Sequence, residues 1–336
     1  MALSGTQRTI ASGVLLMIAM ALVTGLRFNR VDHLIGGVTA GGADARVAQA
    51  DAAYYVDVVR FLRGEAPGEP LAAPYTRRPL APWLASHLPL EPLTALNVVN
   101  FLSLCGAALL LYASLLRLTG EPRIALLGGA LFVFSFPTFY YGTIGYVDPV
   151  LLLFLSLFAY GLAAGSNGVM LSALIAGCLV RESMLIALLP FVVAQLRARG
   201  QGIAWSVAGI GACLLATYVA WGVIPFEQDR SHGLTTEWFV AGLSQLRSWL
   251  SLALTFGLPG LLLIWLVAGR ARRERLASQP LALPLLAGLA ASATLVLVAF
   301  GVAVVDGRPL WTAYPFAILL IGMLMSDDSR PVIADR

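Results

Sequence analysis

Nine long runs of apolar residues, separated by polar segments, dominate this chain. Hydrophobic residues make up 59% of its 336 residues and charged residues only 12%, about half of the share found in soluble domains. Because hydrocarbon cannot satisfy backbone N–H and C=O groups, long continuous apolar runs indicate membrane helices rather than barrel strands. The sequence therefore predicts an all-α integral membrane protein. The runs cover residues 11–26, 93–116, 124–141, 147–164, 169–196, 203–224, 250–268, 281–304 and 310–325.

The run 169–196 carries Arg181 and Glu182 near its middle. An arginine at the centre of a bilayer costs at least ~2.5 kcal/mol, so a single span is disfavoured. Two short helices, 169–180 and 183–196, would instead place the pair at a turn near the outer surface. This division also moves the arginines of later loops to the cytoplasmic side, where short loops are enriched in arginine. We therefore predict about ten transmembrane or membrane-embedded helices in a bacterial inner membrane, with both termini in the cytoplasm.

A single transmembrane domain, residues 1–336, accounts for the chain, and no separate soluble domain is predicted. The first apolar run follows Arg8 like a signal peptide, but no small-x-small cleavage site follows it, which favours an uncleaved first span. The largest polar piece is the first extracytoplasmic loop, residues 27–92. Apolar residues near helical spacing predict an amphipathic surface helix from Asp44 to Leu62. A second short helix is predicted from Pro79 to His87, with Trp83 at headgroup level.

Charged and aromatic residues from distant parts of the chain fall on the predicted outer face. Each has an ordinary explanation on its own: a solvated acid, an arginine at lipid headgroups, a helix cap or an ion pair in a turn. Their shared location is what indicates function, because ionisable residues near membrane depth are candidates for chemistry. The set comprises Asp44, Asp51, Tyr54, Tyr55, Arg77, Arg78, Asp148, Arg181, Glu182, Asp306 and Arg308.

These residue types favour two kinds of chemistry. A carboxylate at the rim of a membrane cavity, such as Asp51, is suited to act as a general base, and Asp44 shares its face of the predicted helix. The adjacent Arg77 and Arg78, held between prolines, suit an anionic ligand such as a phosphate, which guanidinium binds bidentately. Two or three carboxylates beside one phosphate could also hold Mg²⁺ or Mn²⁺, although the ligand set specifies no metal. The basic residues are scattered over loops, which argues against a nucleic-acid partner.

The order of these motifs resembles the GT-C superfamily of polytopic glycosyltransferases, which includes the protein O-mannosyltransferases and the aminoarabinose transferases. The segment Asp51-Ala-Ala-Tyr54-Tyr55 stands where the first extracytoplasmic loop of that superfamily carries an essential Asp. The run from Pro74 to Pro82 is similar to a Pro-Tyr-x-x-Arg-x-Leu-x-Pro run of the bacterial relatives. Three later features are also similar: Asp148 after a Gly-rich turn, the Arg181-Glu182 turn, and Asp306 with Arg308 before the last span.

This resemblance implies transfer of a sugar from a polyprenyl-phosphate donor to an acceptor hydroxyl, with the lipid tail in a groove between helices and in contact with membrane lipid. Two alternatives remain open. A transporter or flippase of a lipid-linked or anionic solute predicts charges spread through the membrane depth, and a non-catalytic envelope assembly partner predicts dispensable outer charges. The implied roles are Asp51 as base with Asp44 as second candidate, Arg77, Arg78, Arg181 and Arg308 for the donor phosphate, and Tyr54, Tyr55, Asp148, Glu182 and Asp306 for orientation or sugar binding.

Overall fold

The computed structural model describes residues 5–30, 50–198, 202–229, 233–301 and 307–326. Helices account for nearly all of the regular structure in these ranges. In chain order they are α1 (Gly5–Gly25), α2 (Ala50–Leu62), α3 (Leu80–Ser86), α4 (Pro92–Thr119), α5 (Pro122–Val133), α6 (Phe136–Tyr141), α7 (Asp148–Ala164), α8 (Asn167–Val180), α9 (Leu188–Arg197), α10 (Gly202–Val223), α11 (Thr236–Ser244), α12 (Leu246–Ala268), α13 (Arg270–Ser278), α14 (Ala282–Phe300), α15 (Arg308–Trp311) and α16 (Tyr314–Met325).

The predicted all-α membrane fold is confirmed. Among the described residues, the helices α1, α4, α10, α12 and α14 are long and apolar enough to cross a membrane, and the shorter apolar helices α5, α7, α8 and α16 accompany them. Large apolar side chains remain exposed on the outside of these helices. Contact of such a surface with lipid is favourable, whereas its contact with water would carry a large free-energy cost.

Helix α4 lies at the centre of the bundle and packs against α1, α5, α7 and α16. Its ends follow ordinary helix chemistry. The Glu91 carboxylate accepts hydrogen bonds from the backbone N–H groups of Leu93 and Thr94, and Gly120 ends the helix in the left-handed conformation, with φ of 67°. The first residue of α4, Pro92, follows closely after the helices of the first loop.

The chain breaks at Arg181, as the charge argument predicted. Helix α8 ends at Val180, Arg181 has extended backbone angles, and a 3₁₀ helix, Glu182–Ala187, leads into α9. The run 124–141 was predicted as one element, and that prediction is wrong. The Ser135 side chain caps a new helix by accepting from Thr138 N. Because Pro137 has no N–H to continue the preceding helix, α5 and α6 are separate.

The first loop contains both predicted surface helices in its described part. Helix α2 covers the predicted segment from Ala50 onward, α3 matches the predicted second helix, and a 3₁₀ turn, Tyr75–Arg77, lies between them. The start of the first predicted helix, with Asp44, lies outside the described residues. Two-residue strands β1 (Ala72–Ala73) and β2 (Gln228–Asp229) pair in parallel and tie this loop to the segment after α10. No strand was predicted, because so short a non-local pairing leaves no periodic pattern in the sequence.

Candidate functional site

Asp51, near the start of α2, is held by two donors from distant segments. Tyr75 Oη donates to Asp51 Oδ1 at 2.7 Å, and Arg308 Nη1 donates to Asp51 Oδ2 at 2.9 Å. Burial alone would raise the pKa of Asp51. The Arg308 charge, the Tyr75 hydrogen bond and the nearby Arg78 charge together outweigh that effect and hold the pKa below its ordinary value. The side chain remains 28% exposed, so Asp51 is an ionised carboxylate that a ligand can reach.

Arg308 also connects Asp51 to a second carboxylate. Its Nη1 lies 3.9 Å from Asp148 Oδ2, and its guanidinium carbon lies 4.2 Å from the centre of the Tyr146 ring, a cation–π contact. Arg181 Nη1 donates to the other Asp148 oxygen. The result is a row of alternating charges, Asp51, Arg308, Asp148 and Arg181, supplied by four separate elements of the fold.

Arg181 has donor capacity left over. Its Nε is buried and has no hydrogen-bond partner among the described residues. Asp148, its partner, is only 4% exposed. Buried donors are normally satisfied in proteins, so this nitrogen is a candidate to bind a ligand oxygen.

Arg78 lies beside this row in a second, partly buried ion pair. Its Nε donates to Glu182 Oε2 at 3.0 Å, its Nη2 donates to Glu182 Oε1, and its Nη1 donates to the Tyr55 hydroxyl at 2.8 Å. Burial would raise the pKa of Glu182, but the charge and hydrogen bonds of Arg78 lower it to about 2. The arrangement is the bidentate fork that arginine forms with carboxylates, and it anchors the first loop to the break after α8.

Three tyrosine rings join the two groups. Tyr54 stacks on Tyr75 with the ring centres 4.5 Å apart, and Tyr55 meets Tyr75 edge-on at 5.3 Å. Tyr75 therefore contacts Asp51 through its hydroxyl and both neighbouring tyrosines through its ring. This packing fixes the face of α2 on which Asp51 lies.

The structure thus places eight of the predicted residues in one connected group. Arg77 takes a different direction from Arg78: its Nη2 lies 3.3 Å from Asp229 Oδ2, and its guanidinium carbon lies over the rings of Trp221 and Phe226 at 5.2 and 5.1 Å. Asp44 and Asp306 lie outside the described residues. The connected residues are Asp51, Tyr54, Tyr55, Arg78, Asp148, Arg181, Glu182 and Arg308.

Sequence reasoning missed the residues that hold the turn before Asp148. Asn97 Oδ1 accepts from Gly145 N at 2.7 Å, and Asn100 Nδ2 donates to the Tyr146 carbonyl at 2.6 Å. Gly145 has φ of 85°, and a Cβ there would lie 2.9 Å from Ala52 Cβ, so the turn approaches α2 closely. Two fully buried asparagines three residues apart in an apolar helix were the available signal, because buried amides require partners.

Two cavities lie near the charged network but are lined by other residues. A cavity of about 280 Å³ borders Gly257 and Tyr314, and another of about 370 Å³ borders Asp57 and Glu69 on the opposite face of α2. In the described part of the chain, no three Asp, Glu, His or Cys residues lie close enough to hold a metal ion. The Mg²⁺ or Mn²⁺ site therefore stays a prediction.

Comparisons with known proteins identify the fold. Neither a protein-family model nor a curated protein sequence matches the chain. The fold is similar to the crystal structure of ArnT from Cupriavidus metallidurans bound to undecaprenyl phosphate, with a TM-score of 0.57 and 12% sequence identity. The match covers 96% of this chain and 60% of that protein, so the chain spans less than two thirds of its length. The chain therefore has a GT-C-like polytopic membrane fold.

Proposed function

We propose that this protein is an inverting GT-C-type glycosyltransferase that moves a sugar from a polyprenyl-phosphate donor to an acceptor hydroxyl. The observation that carries the proposal is the position of Arg308, which contacts Asp51 at 2.9 Å and lies 3.9 Å from Asp148. The likeness in fold to a protein bound to undecaprenyl phosphate supports a lipid carrier of this class.

Arg308 and Arg181 are the arginines that we assign to the donor phosphate. Both flank Asp148, and a guanidinium binds phosphate oxygens with strong, charge-assisted hydrogen bonds. Arg78 is already bound to Glu182 and Tyr55, so its contribution is to fix the wall of the site. Arg77 lies among Asp229 and exposed aromatic rings, where it would meet the phosphate only at the rim.

Asp51 would act as the general base. The acceptor O–H proton passes to the Asp51 carboxylate, the acceptor oxygen bonds to the anomeric carbon, and the bond from that carbon to the phosphate oxygen breaks. Polyprenyl phosphate leaves with the electron pair, and its negative charge is stabilised by Arg308 and Arg181. Asp148 would orient those two arginines, and Tyr54 and Glu182 would shape the sugar pocket.

Binding of the donor would strengthen this base. In the free protein, the Arg308 charge lowers the pKa of Asp51. A phosphate that draws Arg308 toward itself removes much of that attraction, so the pKa of Asp51 rises toward its ordinary value. A carboxylate with a higher pKa is a stronger base. Donor binding and base activation are therefore coupled through one arginine.

Arg308→Gln and Arg181→Gln are each expected to weaken binding of undecaprenyl phosphate on the order of 10-fold or more, because each removes a charge-assisted hydrogen bond. Native mass spectrometry of the protein in lipid nanodiscs measures this affinity. Arg273→Gln, on the exposed surface of α13, is the matched control and should bind like the unaltered chain. Equal affinities for all three variants, each shown to be folded by its thermal transition, would contradict the proposal.

We further propose that the site lies on the outer face of the inner membrane and the arginine-rich helix α13 on the cytoplasmic face. The three native cysteines, Cys105, Cys178 and Cys213, are buried, so single introduced cysteines report the topology. A membrane-impermeant maleimide added to intact cells should label Ala66→Cys in the first loop but label Ser278→Cys only after lysis. The reverse pattern would overturn the assignment.

A further inference from the structure

The segment that carries Arg308 is attached to helix α12 by hydrogen bonds among three groups, each of which bonds to the other two. Gly307 N donates to Ser251 Oγ at 2.8 Å and lies 3.2 Å from the Tyr141 hydroxyl. Those two hydroxyls also bond to each other at 3.0 Å. All three residues are buried, and hydrogen bonds are stronger in such an environment than in water. The residue directly before Arg308 is therefore bound to helix α12.

Glycine at position 307 is required by space and not by backbone conformation. Its φ of −72° suits any residue. A Cβ there would overlap the Thr255 hydroxyl, and it would lie 2.7 Å from Thr255 Cβ and 2.9 Å from the Ser251 carbonyl oxygen. These distances are too short for any side chain. Gly307 therefore allows the backbone to approach α12 more closely than another residue could.

Thr255, the neighbour that excludes a side chain, lies at an irregular point of α12. Gly257 has φ of 43° and ψ of −151°, and Pro259 follows inside the same helix. Because Pro259 has no N–H, the Thr255 carbonyl lacks its usual helical donor. The Tyr314 hydroxyl supplies the missing hydrogen bond at 2.6 Å. The kink in α12 is thus stabilised by a hydrogen bond from Tyr314, the first residue of α16. Gly307 and Tyr314, which lie before and after Arg308 in the sequence, therefore both contact α12.

We propose that Gly307 is a positioning residue, which holds Arg308 between Asp51 and Asp148 by docking on the hydroxyl-bearing face of α12. Only the claim that Arg308 binds the donor phosphate rests on the proposed function. The claim that Gly307 positions Arg308 rests on the contacts of Gly307 alone. Displacing the backbone at Gly307 moves the next residue, and the Arg308–Asp51 pair is made by the end of that side chain.

The readout is the ionisation of Asp51, which needs no substrate. Among the described residues, Asp51 is faced by Tyr75 and Arg308, with Arg78 close enough to act through its charge. Carbodiimide labels a carboxyl group only when it is protonated. Labelling the full chain in nanodiscs across a pH series, followed by peptide mass spectrometry, gives the midpoint, the pH at which half of the Asp51 side chains are protonated. Arg308→Gln sets the midpoint expected when the arginine charge is lost.

Gly307→Ala is expected to raise the midpoint by about one pH unit, because an adjacent opposite charge lowers a carboxyl pKa by roughly 1–3 units. Adding Thr255→Gly removes the two closest contacts of the new methyl group but leaves the Ser251 carbonyl oxygen, so it should move the midpoint part of the way back to that of the unaltered chain. Ser251→Ala, which removes the hydroxyl without adding bulk, should shift it in the same direction by a smaller amount. The control is Gly211→Ala, since a Cβ at that helix position meets no atom within 4 Å.

The inference is overturned if Gly307→Ala leaves the midpoint unchanged, or if the added Thr255→Gly change does not move it back toward that of the unaltered chain. Should Gly307→Ala fail to fold, an unchanged midpoint in Ser251→Ala overturns the inference equally. Undecaprenyl phosphate binding to the same variants separates this result from the proposed function. If Gly307→Ala and Arg308→Gln both raise the midpoint but Arg308→Gln binds undecaprenyl phosphate normally, the donor role of Arg308 is wrong and its positioning by Gly307 stands.

Discussion

Asp51→Asn is expected to lower sugar transfer by a factor on the order of 100 to 10,000, the usual contribution of a general base, while the protein stays folded. Asparagine retains an oxygen that can accept from Tyr75 or Arg308, but it cannot take the acceptor proton. The measurement is release of polyprenyl phosphate from a panel of polyprenyl-phosphate sugars, with a membrane extract as the source of acceptor.

Asp57→Asn is the matched control for this prediction. Asp57 lies on the same helix but faces away from Asp51, and its Oδ1 accepts from Gly68 N at 2.7 Å and from Arg60 at 3.2 Å. It should affect stability more than turnover. Unchanged turnover in Asp51→Asn would remove Asp51 as the base and make Asp44→Asn the next variant to test.

Arg78→Gln is expected to destabilise the protein by about 2 kcal/mol. Removing one partner of a buried ion pair leaves the other charge uncompensated, which costs roughly 3–5 kcal/mol when both are fully buried. Glu182 is 38% exposed at its side chain, so solvent reduces the expected cost. The control is the adjacent Arg77→Gln, whose partner Asp229 is 49% exposed, and it should cost less than about 1 kcal/mol. Unfolding of the purified variants in detergent measures both; equal destabilisation would contradict the assignment of Arg78 to a buried anchor.

The same ion pair gives a pH dependence of defined sign. The pKa of Glu182 is lowered from 4.5 in the unfolded chain to about 2 in the fold. Its contribution to stability is therefore fully present above pH 4.5 and is lost as the pH falls through about 2. The difference in unfolding free energy between the unaltered chain and Arg78→Gln should shrink across that window. A difference that stays constant from pH 7 to pH 2 would show that Glu182 does not depend on Arg78.

The parts of the fold that were predictable from the sequence are those with a strong local cause. The cost of a charged pair inside a membrane predicted the break at Arg181, and the short helix predicted from Pro79 to His87 matches α3 almost to its ends. The kink at Gly257 and the separation of α5 from α6 were missed because single prolines, Pro259 and Pro137, interrupt otherwise continuous apolar runs. Hydropathy averaged over a run does not register them.

The candidate site was predictable in its residue types but not in its partners. Arg77 and Arg78 are adjacent, and sequence alone treated them as one phosphate-binding pair. The 3₁₀ turn that ends at Arg77 sends their side chains to Asp229 and Glu182, which lie in different segments. Tyr75 and Gly307 were overlooked for a related reason: each acts through contacts with residues far away in the sequence, and such contacts leave no periodic signal.

The central claim is that Arg308 is shared between Asp51 and the phosphate of a polyprenyl carrier. A cryo-EM structure of the protein in lipid nanodiscs with undecaprenyl phosphate tests it most directly. The account predicts phosphate density within hydrogen-bond distance, roughly 3 Å, of Arg308 and Arg181, with Arg308 drawn away from Asp51. Phosphate density elsewhere, with the Arg308–Asp51 ion pair still intact, would contradict it.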